Sequence, residues 1–252
     1  MRRRSRRVPH RGGAYVGAMR VLCGTSGFSY PSWKGSFYPA DLPQAGMLAF
    51  YAARLPAVEV NNTFYRMPSA SLLAAWRRQV PAGFRFALKA PQRVTHRLRL
   101  RDAAEPVAHF HRVAAEMGDR LGPVLYQLPP SMKKDLPRLE DFLALLPAGG
   151  RVAFEFRHRS WFSDDVYAAL RARNAALCVA ESETLEVPLL ATADFGYLRL
   201  RREAYAPSDL TAWAERIRAQ PWQEAFAFFK HEDPGKGPRL AEALEALAGA
   251  KP

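Results

Sequence analysis

Arg151-Val152-Ala153-Phe154-Glu155-Phe156-Arg157-His158-Arg159-Ser160-Trp161 is the stretch on which the fold turns. Val152, Phe154 and Phe156 favour an extended backbone, and a strand sends successive side chains to opposite faces. Ala153, Glu155 and Arg157 then share one face, and Val152, Phe154 and Phe156 the other. A carboxylate and a guanidinium on one face of an apolar strand need each other, or a ligand, once that face is buried. The stretch predicts a strand ending in polar chemistry, with a structural ion pair and a ligand site as its two readings.

Seven further segments have the same form. Residues 21–23 run into Gly24-Thr25-Ser26-Gly27, where small residues allow close backbone approach. Residues 57–60 lead to Asn61 and Asn62, with Glu59, Asn61 and Thr63 expected on one face. Residues 84–88 end at Lys89, with His96 shortly beyond, and residues 123–128 carry Gln127. Residues 176–180 end at Glu181-Ser182-Glu183. Residues 195–200 place Tyr197, Arg199 and Arg201 on one face, and residues 225–229 run into Lys230-His231-Glu232-Asp233.

Helical patterns separate most of these strands. The clearest repeats Val107, Phe110, Ala114, Met117 and Leu121 at steps of three and four, with Gly122 as its expected terminator. Asp135 and Ser163 are expected to cap two others. No convincing helix follows the sixth strand. Eight strands alternating with helices predict an α/β, TIM-barrel-like (β/α)8 fold in a single domain, with an irregular sixth β/α unit. An open doubly wound sheet is the alternative. The aromatic loop Phe28, Tyr30, Trp33, Phe37, Tyr38 reads as a hydrophobic plug before it reads as a stacking platform.

Composition bounds the function. The 252 residues are 48% hydrophobic and 24% charged, as in an ordinary globular protein. No apolar run approaches the roughly 20 residues that span a bilayer, so a cytoplasmic protein without a membrane partner is expected. Cys23 and Cys178 read as buried thiols rather than a disulfide or metal framework. The net charge is +13, but residues 1–19 hold six arginines and no acid; the remainder has 31 bases against 24 acids, a net +7. Residues 1–18 are expected to be a disordered, dispensable arginine-rich extension preceding a barrel domain over residues 19–249. A twin-arginine export signal fails because Pro9, His10, Gly12 and Gly13 stand where an apolar stretch is required.

Several of these segments resemble the YecE-like family, domain of unknown function 72. They are Gly24-Thr25-Ser26-Gly27-Phe28-Ser29-Tyr30 with Trp33, Val58-Glu59-Val60-Asn61-Asn62-Thr63-Phe64-Tyr65, and Lys89-Ala90-Pro91 with Thr95-His96. Gln127-Leu128-Pro129-Pro130 and Phe154-Glu155-Phe156-Arg157-His158-Arg159-Ser160-Trp161 complete the set. The resemblance implies a TIM-barrel-like fold and brings no established reaction. The chain departs from the commoner family pattern at Glu181, at Arg201-Arg202 and at Lys230-His231-Glu232-Asp233, which bears on ligand identity.

Barrels of this kind bind ligands at the C-terminal ends of their strands. Lys89, Arg157, Arg199, Arg201 and Lys230 lie near those ends, against Glu59, Glu155 and Glu181. A cation surplus in a low-dielectric mouth invites an anion, and arginines hold phosphate or carboxylate bidentately. The expected catalytic groups are Glu155, Glu181, Lys89 and His158. The expected binding groups are Arg157, Arg199, Arg201, Lys230, His231, Asn61, Glu59, Thr25, Gln127, His96 and Trp161.

The favoured function is an enzyme, a hydrolase or lyase by class, acting on a small anionic substrate. A nucleic-acid-binding or nuclease-like barrel and a non-catalytic ligand-binding module are the alternatives. No cofactor is expected. A divalent metal on Glu155, Glu181, His158 and His231 is the weaker idea, because surplus positive charge opposes it.

Overall fold

Eight parallel strands pair in chain order and the last closes on the first. They are β1 Arg20–Ser26, β2 Ala57–Val60, β3 Arg85–Lys89, β4 Leu121–Gln127, β5 Val152–Glu155, β6 Ala176–Ala180, β7 Phe195–Leu200 and β8 Glu224–Phe229. The structure, a computed structural model, describes residues 19–230 and 234–249. The expectations for residues 1–18 and for His231 therefore fall outside the described residues. Helices α1 Met47–Ala52, α2 Asn62–Tyr65, α3 Ala70–Arg78, α4 Ala104–Ala114, α5 Leu136–Leu145, α6 Asp164–Ala172, α7 Pro207–Arg218 and α8 Lys236–Gly249 lie between and after the strands. The arrangement is a TIM-barrel-like α/β fold, and the doubly wound alternative is excluded by closure.

Alternation along the strands divides the core in two. Ala57, Ala87, Ala153, Ala176 and Leu125 form one buried cluster with Phe195, Tyr197, Phe226 and Phe228. Small residues on β2, β3, β5 and β6 thus leave room for the aromatic side chains of β7 and β8, which fill the barrel. Val58, Phe86, Val124, Phe154 and Leu198 point the other way and pack in the larger cluster beneath the helices. The expected division of Ala153 and Glu155 from Val152 and Phe154 is present in β5.

Local chemistry explains most boundaries. Asp135 caps α5, its Oδ1 accepting from the Arg138 backbone N–H at 3.2 Å. The residue before α6, Ser163, does not cap as expected: its hydroxyl donates to Asp165 at 2.5 Å. The glycine that breaks the helical run after α4 is Gly118, at φ 53°, and not Gly122, which lies inside β4. β1 is longer than its apolar run suggested. Gly24, Thr25 and Ser26 remain in the strand, because a Cβ on Gly24 would sit 2.0 Å from the Ala57 carbonyl oxygen of β2. No helix forms between β6 and β7, as the sixth unit predicted.

The aromatic loop is a plug. Trp33, Phe37 and Tyr38 are buried and pack edge-on or tilted against one another and against Phe50 and Tyr51. Those rings offer no stacking platform.

Candidate functional site

The last inward-facing side chains of β1, β2, β4, β5 and β7 meet at the C-terminal mouth. On β7, Arg199 is 3% exposed and bridges two carboxylates. Its Nη1 donates to Glu155 Oε2 at 2.6 Å and its Nη2 to Glu59 Oε1 at 2.7 Å. Glu59, fully buried on β2, also accepts from Ser26 Oγ at 2.7 Å, Asn61 Nδ2 at 2.9 Å and Tyr197 Oη at 2.8 Å. Glu155, 1% exposed, accepts from Gln127 Nε2 on both oxygens at 2.9 Å and from Arg201 Nη2 at 3.3 Å. Two carboxylates and two guanidiniums therefore balance within one network drawn from five strands and their exits.

This network decides the roles of its members. Burial pushes the Glu59 carboxyl up, but the Arg199 charge and the bonds from Arg199, Ser26 and Asn61 outweigh it and hold it below the usual carboxylate range. Burial opposes the Arg199 charge, and Glu59 and Glu155 reverse that and strengthen it. Arg199 is committed to these carboxylates, which corrects the expectation that it holds substrate charge. Glu155 does not pair with Arg157, its neighbour on the strand face, but with a β7 arginine across the barrel. Donors already occupy both its oxygens, so Glu155 positions Arg199 and Arg201 rather than acting as acid or base.

Glu181 is likewise committed. It accepts from the Tyr205 hydroxyl, from Trp213 Nε1 at 3.1 Å and from the Arg201 backbone N–H at 3.0 Å, and pairs with Arg202 Nε at 3.2 Å. It secures the end of β6 to β7 and α7. Thr25 and Trp161 are also corrected. Thr25 is buried and faces α1, where its Oγ1 lies 2.9 Å from Tyr51 Oη; its neighbour Ser26 is the β1 residue that points to the mouth. Trp161 is fully buried, stacked on Phe156 at 4.7 Å, with Nε1 donating to the Met132 carbonyl. It is core.

Lys89 is different. It ends β3 at 8% exposure, with its Nζ 4.0 Å from the centroid of the Phe64 ring. Among the described residues, no carboxylate lies within ion-pairing distance of it. Burial lowers its pKa, Arg199 and Arg157 add to that, Glu155 and Glu59 only partly compensate, and the net value is about 8. Thr63 in α2 fixes its backbone, donating from Oγ1 to the Lys89 carbonyl at 2.7 Å.

His96 packs against the same aromatic residue, the two rings nearly perpendicular with centroids 4.9 Å apart. Its Nδ1 lies 2.9 Å from Thr95 Oγ1. Burial lowers its pKa, and the Lys89 and Arg157 charges add to the effect. His96 sits on a single π-helical turn, Arg93–Arg97, followed by left-handed Arg99, Leu100 and Asp102. Such irregular backbone is concentrated at functional sites.

Arg157 lies just past β5, exposed and without an ion pair among the described residues. It borders a cavity of about 160 Å³ with Glu155, Glu181, Ser182 and Arg201. A larger cleft of about 690 Å³ shares the Glu181, Ser182 and Arg201 wall and extends to Trp213 and Arg216. His158 is half-buried outside this group, with Nδ1 accepting from the Ser160 backbone N–H at 3.2 Å. Lys230 is exposed at the end of β8. The structure thus gathers Lys89, His96 and Arg157 into one electrostatic group beside the balanced network.

The signal for Ser26, Phe64 and Tyr197 was present only as position. Ser26 and Tyr197 fall on the inward parity of their strands, whereas Phe64 needed the short helix α2 to bring it over Lys89. Among the described residues, no three His, Cys, Asp or Glu side chains cluster to hold a metal, and no helix is long and apolar enough to cross a membrane.

The family described as "Protein of unknown function DUF72" matches residues 22–252. UPF0759 protein YecE of Escherichia coli K12 is 32% identical over 114 residues, 45% of this chain and 42% of that protein. UPF0759 protein YunF of Bacillus subtilis 168 is 30% identical over 144 residues, 52% and 50% of the two chains. These matches span about half the length of the curated relatives or less. The crystal structure of a DUF72 family protein from Thermotoga maritima MSB8 is 29% identical with a TM-score of 0.73, covering 90% of this chain and 97% of that one. One from Enterococcus faecalis V583 is 18% identical with a TM-score of 0.76, over 92% and 96%, and attests the fold alone.

Proposed function

The chain belongs to the DUF72 family of proteins of unknown function, and from its strand-end chemistry we propose an enzyme that takes a small phosphorylated or carboxylated substrate at the barrel mouth. The observation that carries this reading is Lys89: a lysine 8% exposed, with an aromatic ring for a neighbour and no carboxylate paired to it among the described residues. Removing an ammonium from water without a counter-charge is costly, and a bound anion offsets that cost. Arg157, exposed beside the mouth cavity, supplies a second cation of suitable geometry. The Glu59–Arg199–Glu155–Arg201 network is internally balanced, so it holds these groups without competing for the anion.

His96 is the acid/base candidate. Its depressed pKa leaves the imidazole neutral at neutral pH, able to accept a proton beside the anion. The nucleic-acid alternative keeps the chain's net charge in its favour but loses the buried rings Trp33, Phe37 and Tyr38 as a stacking surface.

The test is thermal unfolding in the presence of inorganic phosphate, phosphorylated sugars and small carboxylates, against chloride at equal ionic strength. Specific stabilisation by at least one of these anions is expected. A panel in which none exceeds chloride contradicts the proposal.

A further inference from the structure

Lys89 is an odd choice for a group that only binds anions. Arginine would bind the same anion in two places and would keep its charge however deeply buried. A lysine held without a carboxylate partner has the opposite property, because its site favours the neutral amine. Its neighbours pull both ways, and burial with the two arginines prevails over the two carboxylates. Arg199 of β7 and Arg157 beyond β5 disfavour its proton, while Glu59 of β2 and Glu155 of β5 are tied to Arg199. His96, from the turn after β3, shares the Phe64 ring with it, and among the described residues its Nε2 makes no hydrogen bond.

We infer that Lys89 is a nucleophile that forms a Schiff base with the carbonyl carbon of an anionic substrate, a 2-oxo acid or a phosphorylated aldose or ketose. The inference rests on the small-anion reading of the mouth and adds the reacting group of the substrate to it. In the first step the Nζ lone pair bonds to the carbonyl carbon and the carbon–oxygen π pair moves to oxygen. A proton leaves nitrogen and one reaches that oxygen, giving a carbinolamine; His96 is the relay. In the second step the hydroxyl takes up the proton that His96 removed from the Lys89 ammonium before attack, and the nitrogen lone pair expels it as water. The ammonium form of Lys89 and the carbonyl together yield a protonated imine and one water, with no oxidant or reductant required. The exposed arginine, Arg157, faces the carboxylate or phosphate of the same substrate.

Borohydride reduction traps such an imine as a secondary amine that mass spectrometry can locate. Full-length protein is incubated near pH 8 with pyruvate or with dihydroxyacetone phosphate, reduced and digested. Exposed Lys133 serves as the internal control. A pKa of about 8 against the usual 10.5 gives Lys89 a neutral fraction on the order of a hundredfold larger near pH 8. Adduct is expected at Lys89 at least about tenfold faster than at Lys133, the rest of the advantage being lost to lower nucleophilicity and restricted access. Inorganic phosphate should slow it. Lys89→Arg should retain stabilisation by phosphate while losing the adduct, whereas Lys89→Met should lose both.

Adduct at Lys89 no faster than at Lys133 with both carbonyl probes overturns the inference. If phosphate still stabilises the protein in that case, the small-anion reading stands without it. If phosphate neither stabilises the protein nor slows labelling, the reading of the mouth falls.

Discussion

Arg199 answers two carboxylates from opposite parts of the chain, and its loss would strand both. Removing one partner of a buried, hydrogen-bonded ion pair costs about 3–5 kcal/mol, because the remaining charge keeps its desolvation penalty. Arg199→Met should therefore lower stability by at least about that much in urea unfolding at pH 7. Lys89 should behave in the opposite sense. Its folded pKa of about 8 lies below the ordinary 10.5, so the unfolded chain binds more protons between those values and the folded state gains stability as pH rises through that window. Lys89→Met should thus be more stable than the wild type at pH 7, and the gap should close towards pH 10. Glu155 and Arg157 show what a sequence can and cannot give at this scale. Their shared parity on β5 was legible, but the true partner of Glu155 lies 44 residues away, and no local spacing points to it.

Elements were the most legible level because each strand announces itself by a short apolar run. The bounds of β2, β6 and β7 coincide with those runs. The misreadings have local causes. Small residues at Gly24, Thr25 and Ser26 look like a loop, yet close pairing with β2 needs a glycine there. Gly24→Ala would drive a methyl group into the Ala57 carbonyl, and loss of soluble folded protein or a large fall in the thermal midpoint is expected. Thr25 followed from the same mistake, since continuing the strand through it reverses which of Thr25 and Ser26 faces the mouth.

Helix α8 makes a separate prediction. It packs against β1, and burial, reinforced by Glu242 and opposed by Arg20, raises the Glu245 carboxyl to about 7. Raised above its unfolded value of 4.5, that group costs stability progressively as pH rises from 4.5, and in full above about 7. Glu245→Gln should stabilise the protein at pH 8, with the gain shrinking as pH falls through 7 towards 4.5, as read by paired urea titrations.

At the scale of the whole molecule, closure does what no single strand can. It brings Glu59, Lys89, Gln127, Glu155 and Arg199 to one rim, and there the charges sort into a balanced network and a group left to meet a ligand. A count of cations against acids along the sequence suggested an anion site, but it could not show that Arg199 and Arg201 were spoken for. Only the closed ring separates them from Lys89 and Arg157. Anion binding beside Lys89 should raise its pKa, so phosphate binding near pH 8 should take up protons. Calorimetric enthalpies in buffers of differing ionisation heat report that uptake directly.

The most direct measurement is calorimetric titration of inorganic phosphate into the wild type and into folded Lys89→Met at matched ionic strength. Binding to the wild type and its loss, by tenfold or more in affinity, in the variant is the predicted result. Equal affinity in the two proteins would contradict the account.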